Sequence, residues 1–404
     1  MYPFQLEGFI ADHVTGRPQS LFANDIQANA QALSERIDGK SVLVIGGAGS
    51  IGSSFIRAML RFRPARLYVV DTNENGLTEL TRDLRSNEDL VVPPVYLTYP
   101  LNFGEPVFGK ILRNVGAFDI VANFAAHKHV RSEKDPYAIE AMVDNNVLKA
   151  KQLLDLLTEH PPAHFFCVST DKAANPVNVM GATKKLMEEV IMAYAARLPI
   201  TTARFANVAF SNGSLLAGFL ERLMKRQPLS APSDVKRYFV SPEESGQICL
   251  LACMLGHSGE IFFPKLATSD MKTFSDIASA LLRSLGLEPY PCASEQEAKL
   301  AASQWNDANA AYPVYYFGSD TSGEKSFEEF FTENEEIDWD RFESLGVIKN
   351  APRKDFRHID VMFQKLTSIF AKEKIVKTDI VRLLADFIPN FEHIETGKNL
   401  DDKM

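Results

Sequence analysis

Residues 41 to 71 read SVLVIGGAGSIGSSFIRAMLRFRPARLYVVD. A short β-branched run ends in glycines, a helical pattern follows from Ser50 to about Phe62, and a second strand-like run closes on Asp71. Gly46, Gly49 and Gly52 give the spacing G-x-x-G-x-x-G. Glycines at these places permit a tight turn, approach of the backbone to a pyrophosphate, and close packing of helix on sheet. A helix opening at Ser50 and Ile51 would offer phosphates its free N–H groups and partial positive charge. Asp71, 19 residues beyond Gly52, is placed to accept hydrogen bonds from ribose hydroxyls and to repel a 2′-phosphate. That favours NAD over NADP. The plainer reading is a glycine turn in an unrelated α/β protein, with Asp71 capping the next helix. A strand before, a helix after and an acid ending the second strand together speak against it.

Working outward, VYLTYP (95–100), FDIVANFAA (118–126), HFFCVST (164–170) and ITTARFA (200–206) continue the strand-like series. Segments of helical period separate them, notably Ala138 to Leu157 and Met180 to Arg197. Strands apolar on both faces, alternating with helices, predict a parallel sheet covered on both sides. Right-handed crossovers make it a doubly wound, Rossmann-type α/β fold. The alternation fades after about Asn207. The expected organisation is a helical extension over 1–38, an NAD-binding domain over 39–206, a substrate-binding region over 207–340 partly interleaved with the sheet, and a C-terminal helical extension over 341–404.

Composition bounds the function. Of 404 residues, 46% are hydrophobic and 24% charged, ordinary for a folded chain. A net charge of −9 argues against a protein built to wrap nucleic acid, while leaving room for a local basic pocket. No run approaches the ~18 apolar residues of a bilayer span, and MYPFQLEGFIADH lacks the basic start of a secretory signal. Four cysteines are too few for a disulfide scaffold, and Cys249 and Cys253, one helical turn apart, suit core packing better than metal ligation. The expectation is a cytoplasmic enzyme without membrane, nucleic-acid or metal partners. Apolar faces on its terminal helices make a homo-oligomer the expected assembly.

The segment from Val168 to Lys184, VSTDKAANPVNVMGATK, carries the chemistry. Short-chain dehydrogenases place Ser or Thr after the fifth strand and Tyr-x-x-x-Lys on the next helix. Thr170 and Lys184 are in place, but Met180 stands at the tyrosine position, and none of the eleven tyrosines has a lysine four residues later. One reading is an inert protein that keeps its cofactor as structure. The other passes proton traffic to Asp171 and Lys172, an acid and an amine suited to elimination. Neighbours on a regular strand face opposite ways, so both can serve only if the strand ends near Thr170 and the chain turns. AANP just beyond is consistent with a turn.

Further marks are DTNE (71–74), AAHKHV (125–130), DNNV (144–147), RFANVAFSNGS (204–214), RYF (237–239), GEIF (259–262) and GEK (323–325). Over roughly residues 15 to 335 the chain resembles the UDP-N-acetylglucosamine 4,6-dehydratases, a polysaccharide-biosynthesis branch of the extended short-chain dehydrogenases, and among them the subgroup with methionine for tyrosine. The resemblance implies a UDP-sugar substrate whose C4 hydride passes to NAD. C5 is then deprotonated, water leaves from C6, and the hydride returns to C6. It implies that Thr170 holds the C4 oxygen, Asp171 is the acid at C6, Lys172 the base at C5, and Lys184 binds the nicotinamide ribose. Met180 is then an apolar packing residue beside the nicotinamide. Loss of the C4 hydroxyl proton is assigned to Asp171, directly or through water.

Around this centre, Ala125 and Ala126 would line the cofactor. Lys128 is either beside the substrate or a solvated loop charge, with His129 next to it. Asn207, Ser211, Asn212 and Ser214 resemble a nucleotide-sugar loop. Arg237 and Lys225 could neutralise phosphate or lie on the surface. Two departures stand out: SDTSGEK lacks the arginine usual before GEK, and the third strand delivers Asn102 where an acid near adenine is usual. Competing readings are a nucleotide-sugar 4-epimerase on the same fold and a non-catalytic NAD-binding scaffold.

Overall fold

The protein is described by a computed structural model over residues 4–397, apart from 307, 321, 324 and 326. Six strands form the parallel heart of the sheet: β1 (Ser41–Ile45), β2 (Arg66–Asp71), β3 (Val95–Pro100), β4 (Ile120–Asn123), β5 (His164–Val168) and β6 (Ile200–Ala203). Their spatial order is β3-β2-β1-β4-β5-β6. The order reverses between β1 and β4, which opens a crevice beyond their C-terminal ends. Val42, Leu43, Val44 and Ile45 are all buried, as a strand covered by helices on both faces requires.

Beyond β6 the sheet gains three strands from later sequence. Glu260–Pro264 runs parallel to β6, and Leu345–Ile348 and Ile337–Asp338 follow antiparallel at the edge. These later strands are short, and the helical stretch at the end of the sequence is therefore preceded by a strand. The helix Ser50–Leu60 packs on the helix Pro242–Leu255, where Gly246 lies against the backbone of Ser54 and Phe55. Cys249 and Cys253 are fully buried in that second helix.

A smaller three-stranded parallel sheet joins Leu229–Pro232, Ala311–Phe317 and Glu288–Cys292. It has its own apolar cluster, in which Phe9 and Val14 of the N-terminal segment pack with Phe219, Leu281 and Tyr312.

The helices Phe356–Phe370 and Lys377–Phe387 lie against the helix Val179–Tyr194, with the rings of Tyr194 and Phe356 4.9 Å apart and the guanidinium of Arg197 3.9 Å from Phe356. After them the chain straps the loop that follows β5. The N–H of Glu392 donates to Pro176 O at 3.2 Å, and that of Ile394 to Val177 O at 2.9 Å. His393 Nε2 lies 2.5 Å from Glu133 Oε1, while Glu133 Oε2 accepts from the N–H of Val179 at 2.8 Å. Among the described residues no helix is long and apolar enough to cross a membrane.

Candidate active site

The crevice floor starts at Gly46, whose φ of +74° and proximity to Ala125, 2.5 Å from where a Cβ would stand, leave no place for a side chain. Gly49 caps the helix that opens at Ser50, so the first-turn N–H groups face the crevice without a side-chain cap. Asp71 ends β2 with Oδ2 accepting from the N–H of Ala48 at 3.0 Å and Oδ1 from that of Asn73 at 2.9 Å. The cap of the next helix is Asn73, which accepts from Gly76, so the Asp71 carboxylate stays on the glycine-loop side. Asn102 Oδ1 accepts from the N–H of Gly104 at 2.9 Å and so shapes its own turn.

After β4, Ala125 and Ala126 are half-buried and Lys128 and His129 exposed. This loop is fixed by Asn146, which sequence reasoning left without a role. Its Oδ1 accepts from the N–H of His127 at 2.8 Å, and its Nδ2 donates to His127 O at 2.9 Å and to Thr183 Oγ1 at 3.2 Å. The ring of His129 lies against Gly213, and the N–H of Asn212 donates to Ser50 Oγ at 2.8 Å. The loop carrying Ser211 and Asn212 thus meets both the glycine loop and the β4 loop. Ser214 caps the helix Leu215–Met224, and Asn207 Nδ2 is buried without a hydrogen-bond partner among the described residues.

β5 ends at Val168, and a 3₁₀ turn over Asp171–Ala173 follows at once. The turn folds both side chains to one place. Asp171 Oδ1 accepts from Thr170 Oγ1 at 2.7 Å, from the Lys172 N–H at 2.9 Å and from Lys172 Nζ at 3.1 Å. Asp171 is 2% exposed, and the Lys172 side chain 16%. Two groups from distant sequence close the cluster: Glu328 Oε1 lies 3.8 Å from Lys172 Nζ and 4.0 Å from Arg237 Nη2. Arg237 is buried and donates through Nη1 to Lys325 O at 2.9 Å, whereas Lys225 is exposed and 3.7 Å from Glu221 on its own helix. Of the GEK motif, Glu324 lies outside the described residues.

One turn into the next helix, Met180 is buried and Lys184 Nζ donates to Val168 O at 2.8 Å. Burial holds the Lys184 pKa below the ordinary lysine value, against the raising influence of Cys167 and Glu188. Lys184 is thereby tied to the last residue of β5, three residues before Asp171.

The comparisons agree with this architecture. Residues 42–350 match the family described as polysaccharide biosynthesis protein. The uncharacterised membrane protein MJ1061 of Methanocaldococcus jannaschii is 30% identical over 328 residues, 79% of this chain and 88% of that protein. The inverting UDP-N-acetylglucosamine 4,6-dehydratase of Campylobacter jejuni is 28% identical over 262 residues, covering 61% of this chain and 72% of the relative. A UDP-glucose 4-epimerase of Rickettsia bellii is 27% identical over 252 residues, with shares of 61% and 72%. Among solved structures, Pen from Bacillus thuringiensis superposes with a TM-score of 0.63 at 21% identity, covering 79% of this chain and 90% of that one, which shows the same fold.

Proposed function

The chain belongs to the polysaccharide biosynthesis protein family, and from that premise we propose that it is an NAD-dependent nucleotide-sugar 4,6-dehydratase acting on a UDP-N-acetylhexosamine. The observation that carries the reading is the single carboxylate oxygen of Asp171 shared by Thr170, the Lys172 main chain and the Lys172 amine. An acid and a base converge where a hexose would lie across the crevice.

The cradle at Gly46 and the open helix start at Ser50 suit a dinucleotide pyrophosphate, and Asp71 suits an unphosphorylated ribose. NAD, when bound, supplies the hydride acceptor and donor. The chain's own residues move protons. Thr170 Oγ1 orients the C4 oxygen, and Asp171 takes the C4 hydroxyl proton. The C4 ketone acidifies C5, whose proton goes to Lys172, and Asp171 returns its proton to the C6 oxygen as water leaves. Asp171 acts once as base and once as acid, and Lys172 gives its proton back to C5 when the hydride returns to C6, so the exchange balances. Lys184 holds the ribose side, and Met180 packs there without titrating. Arg237 and the side-chain amide of Asn207, which has no partner among the described residues, suit a diphosphate or sugar oxygen.

A 4-epimerase would leave the Asp171–Lys172 pair idle and depends on the tyrosine that Met180 replaces. The test is incubation of the purified protein with UDP-N-acetylglucosamine, following product mass and 4-keto absorbance. Loss of one water supports the dehydratase. An isomer of unchanged mass supports the epimerase, and silence with several nucleotide sugars supports a scaffold.

A further inference from the structure

Lys172 is flanked by two carboxylates. Asp171 Oδ1 is 3.1 Å from its Nζ, and Glu328 Oε1 is 3.8 Å from it. A base at C5 must present a free lone pair to its proton, so any proton the amine carries needs another acceptor within reach. Glu328 is held in place from both directions along the chain. Arg237 binds the main-chain oxygen of Lys325 at 2.9 Å, and Arg204 binds that of Phe330 at 3.0 Å. The charged groups facing Glu328 are Lys172 and Asp171 from the turn after β5, Arg237 from the strand Lys236–Arg237, and Lys325 from its own segment. Burial pushes the Glu328 carboxyl pKa up; Lys172, Arg237 and Lys325 oppose this and Asp171 adds to it.

We propose that Glu328 is a positioning residue that takes up the ammonium proton of Lys172, so that the amine stands neutral against the C5 hydrogen. The inference rests on the dehydratase reading and adds a participant to it. The Lys172–Glu328 pair begins and ends the cycle with one shared proton and carries a second only while C5 is deprotonated. Rotation of the lysine tail closes the 3.8 Å gap to hydrogen-bond reach, and the proton passes to the carboxylate. The neutral amine then binds the C5 proton with its lone pair. The C5–H electrons become the C5–C6 π bond as the C6–O pair leaves on oxygen, which Asp171 protonates to water. Once C6 is reduced, the ammonium returns its proton to C5 and Glu328 returns its own to the amine. Nothing is gained or lost by the pair.

The pH profile distinguishes this role from a merely structural one. With one proton shared between two coupled groups, the neutral fraction of Lys172 does not change between the pair's two titrations. In Glu328→Gln the other neighbouring carboxylate, Asp171, already carries the C4 hydroxyl proton when C5 is attacked, so the amine must lose its proton to solvent and its neutral fraction rises tenfold per pH unit while ammonium predominates. The experiment follows C5 deuterium incorporation and water loss from UDP-N-acetylglucosamine in heavy water, from about pH 6 to 9, for wild type, Glu328→Gln and Glu328→Asp. The expected result is a flat profile for wild type. Glu328→Gln should be about 100-fold slower near neutrality, with near-unit slope and KM within about threefold. Glu328→Asp should keep the flat profile at reduced rate. A Glu328→Gln enzyme with a flat profile at wild-type rate overturns the inference alone, as does a sloped profile for Glu328→Asp, the variant that decides should the glutamine form not fold. A wild-type protein that exchanges no C5 hydrogen overturns this inference and the dehydratase reading together.

Discussion

Arg204 Nη1 donates at 3.0 Å to the main-chain oxygen of Phe330, two residues beyond Glu328. The same guanidinium, fully buried, grips Glu188 at 2.8 and 2.9 Å and Glu335 at 2.9 and 3.0 Å. Glu188 in turn accepts from Ser169 Oγ at 2.6 Å, the residue before Thr170. One cation therefore ties the end of β5 to the segment that carries Glu328. Replacing it by methionine strands two buried carboxylates, and the expected loss is about 3–5 kcal/mol, read as a lowered urea midpoint with unchanged slope. Arg204→Lys should recover little, because a point charge cannot make both forked contacts.

Acid should weaken the same network. Burial favours the neutral form of Glu188, but the charge and hydrogen bonds of Arg204, with Lys185 and Ser169, override it and hold the carboxyl at about 2. A depressed folded-state pKa stabilises the protein above the unfolded value of about 4.5 and ceases to do so as pH falls toward 2. Urea midpoints measured at about pH 6, 4 and 3 should fall steeply for wild type and less for Glu188→Gln. Parallel declines would remove Glu188 from the acid response.

Lys172→Ala should abolish deuterium exchange at C5 while NAD still binds, measured by product mass and by quenching of tryptophan fluorescence. Exchange at the wild-type rate would take Lys172 out of the reaction.

The cofactor end offers an independent check. Gly46→Ala places a Cβ against the Ala125 main chain at a φ of +74°, so NAD affinity should fall by more than about tenfold. If Asp71 repels a 2′-phosphate, Asp71→Ser should lower the ratio of NAD to NADP affinity by about tenfold. Calorimetric titration of both dinucleotides reads each effect, and an unaltered ratio would move ribose recognition elsewhere.

The sheet was legible because β1 and β2 are apolar on both faces and joined by a glycine turn, all within 31 consecutive residues. The segment from Thr170 to Lys184 was legible for the same reason: its chemistry is contiguous. Glu328 was not, since the acids of SFEEF read as ordinary solvent-facing charges until Lys172, 156 residues earlier, is placed beside them. Asn146 escaped for a different reason. It lies in a π-helical turn, Asp144–Leu148, inside a stretch whose apolar period reads as plain α-helix. The widened turn directs both Asn145 and Asn146 inward, and hydrophobic spacing does not record where a helix widens. The strand Leu345–Ile348 was masked by its brevity and by the helical sequence around it.

The strap across the loop after β5 also bears on biogenesis. Asn390 donates to Ala174 O, 216 positions earlier in the sequence. At about 5–20 residues per second, a ribosome needs roughly 10 to 40 s to travel that interval. Over that interval the turn after β5 has nothing yet to brace it, while β6 and the three later strands of the sheet are still being made. Competence to turn over a nucleotide sugar would then wait for the strap to emerge.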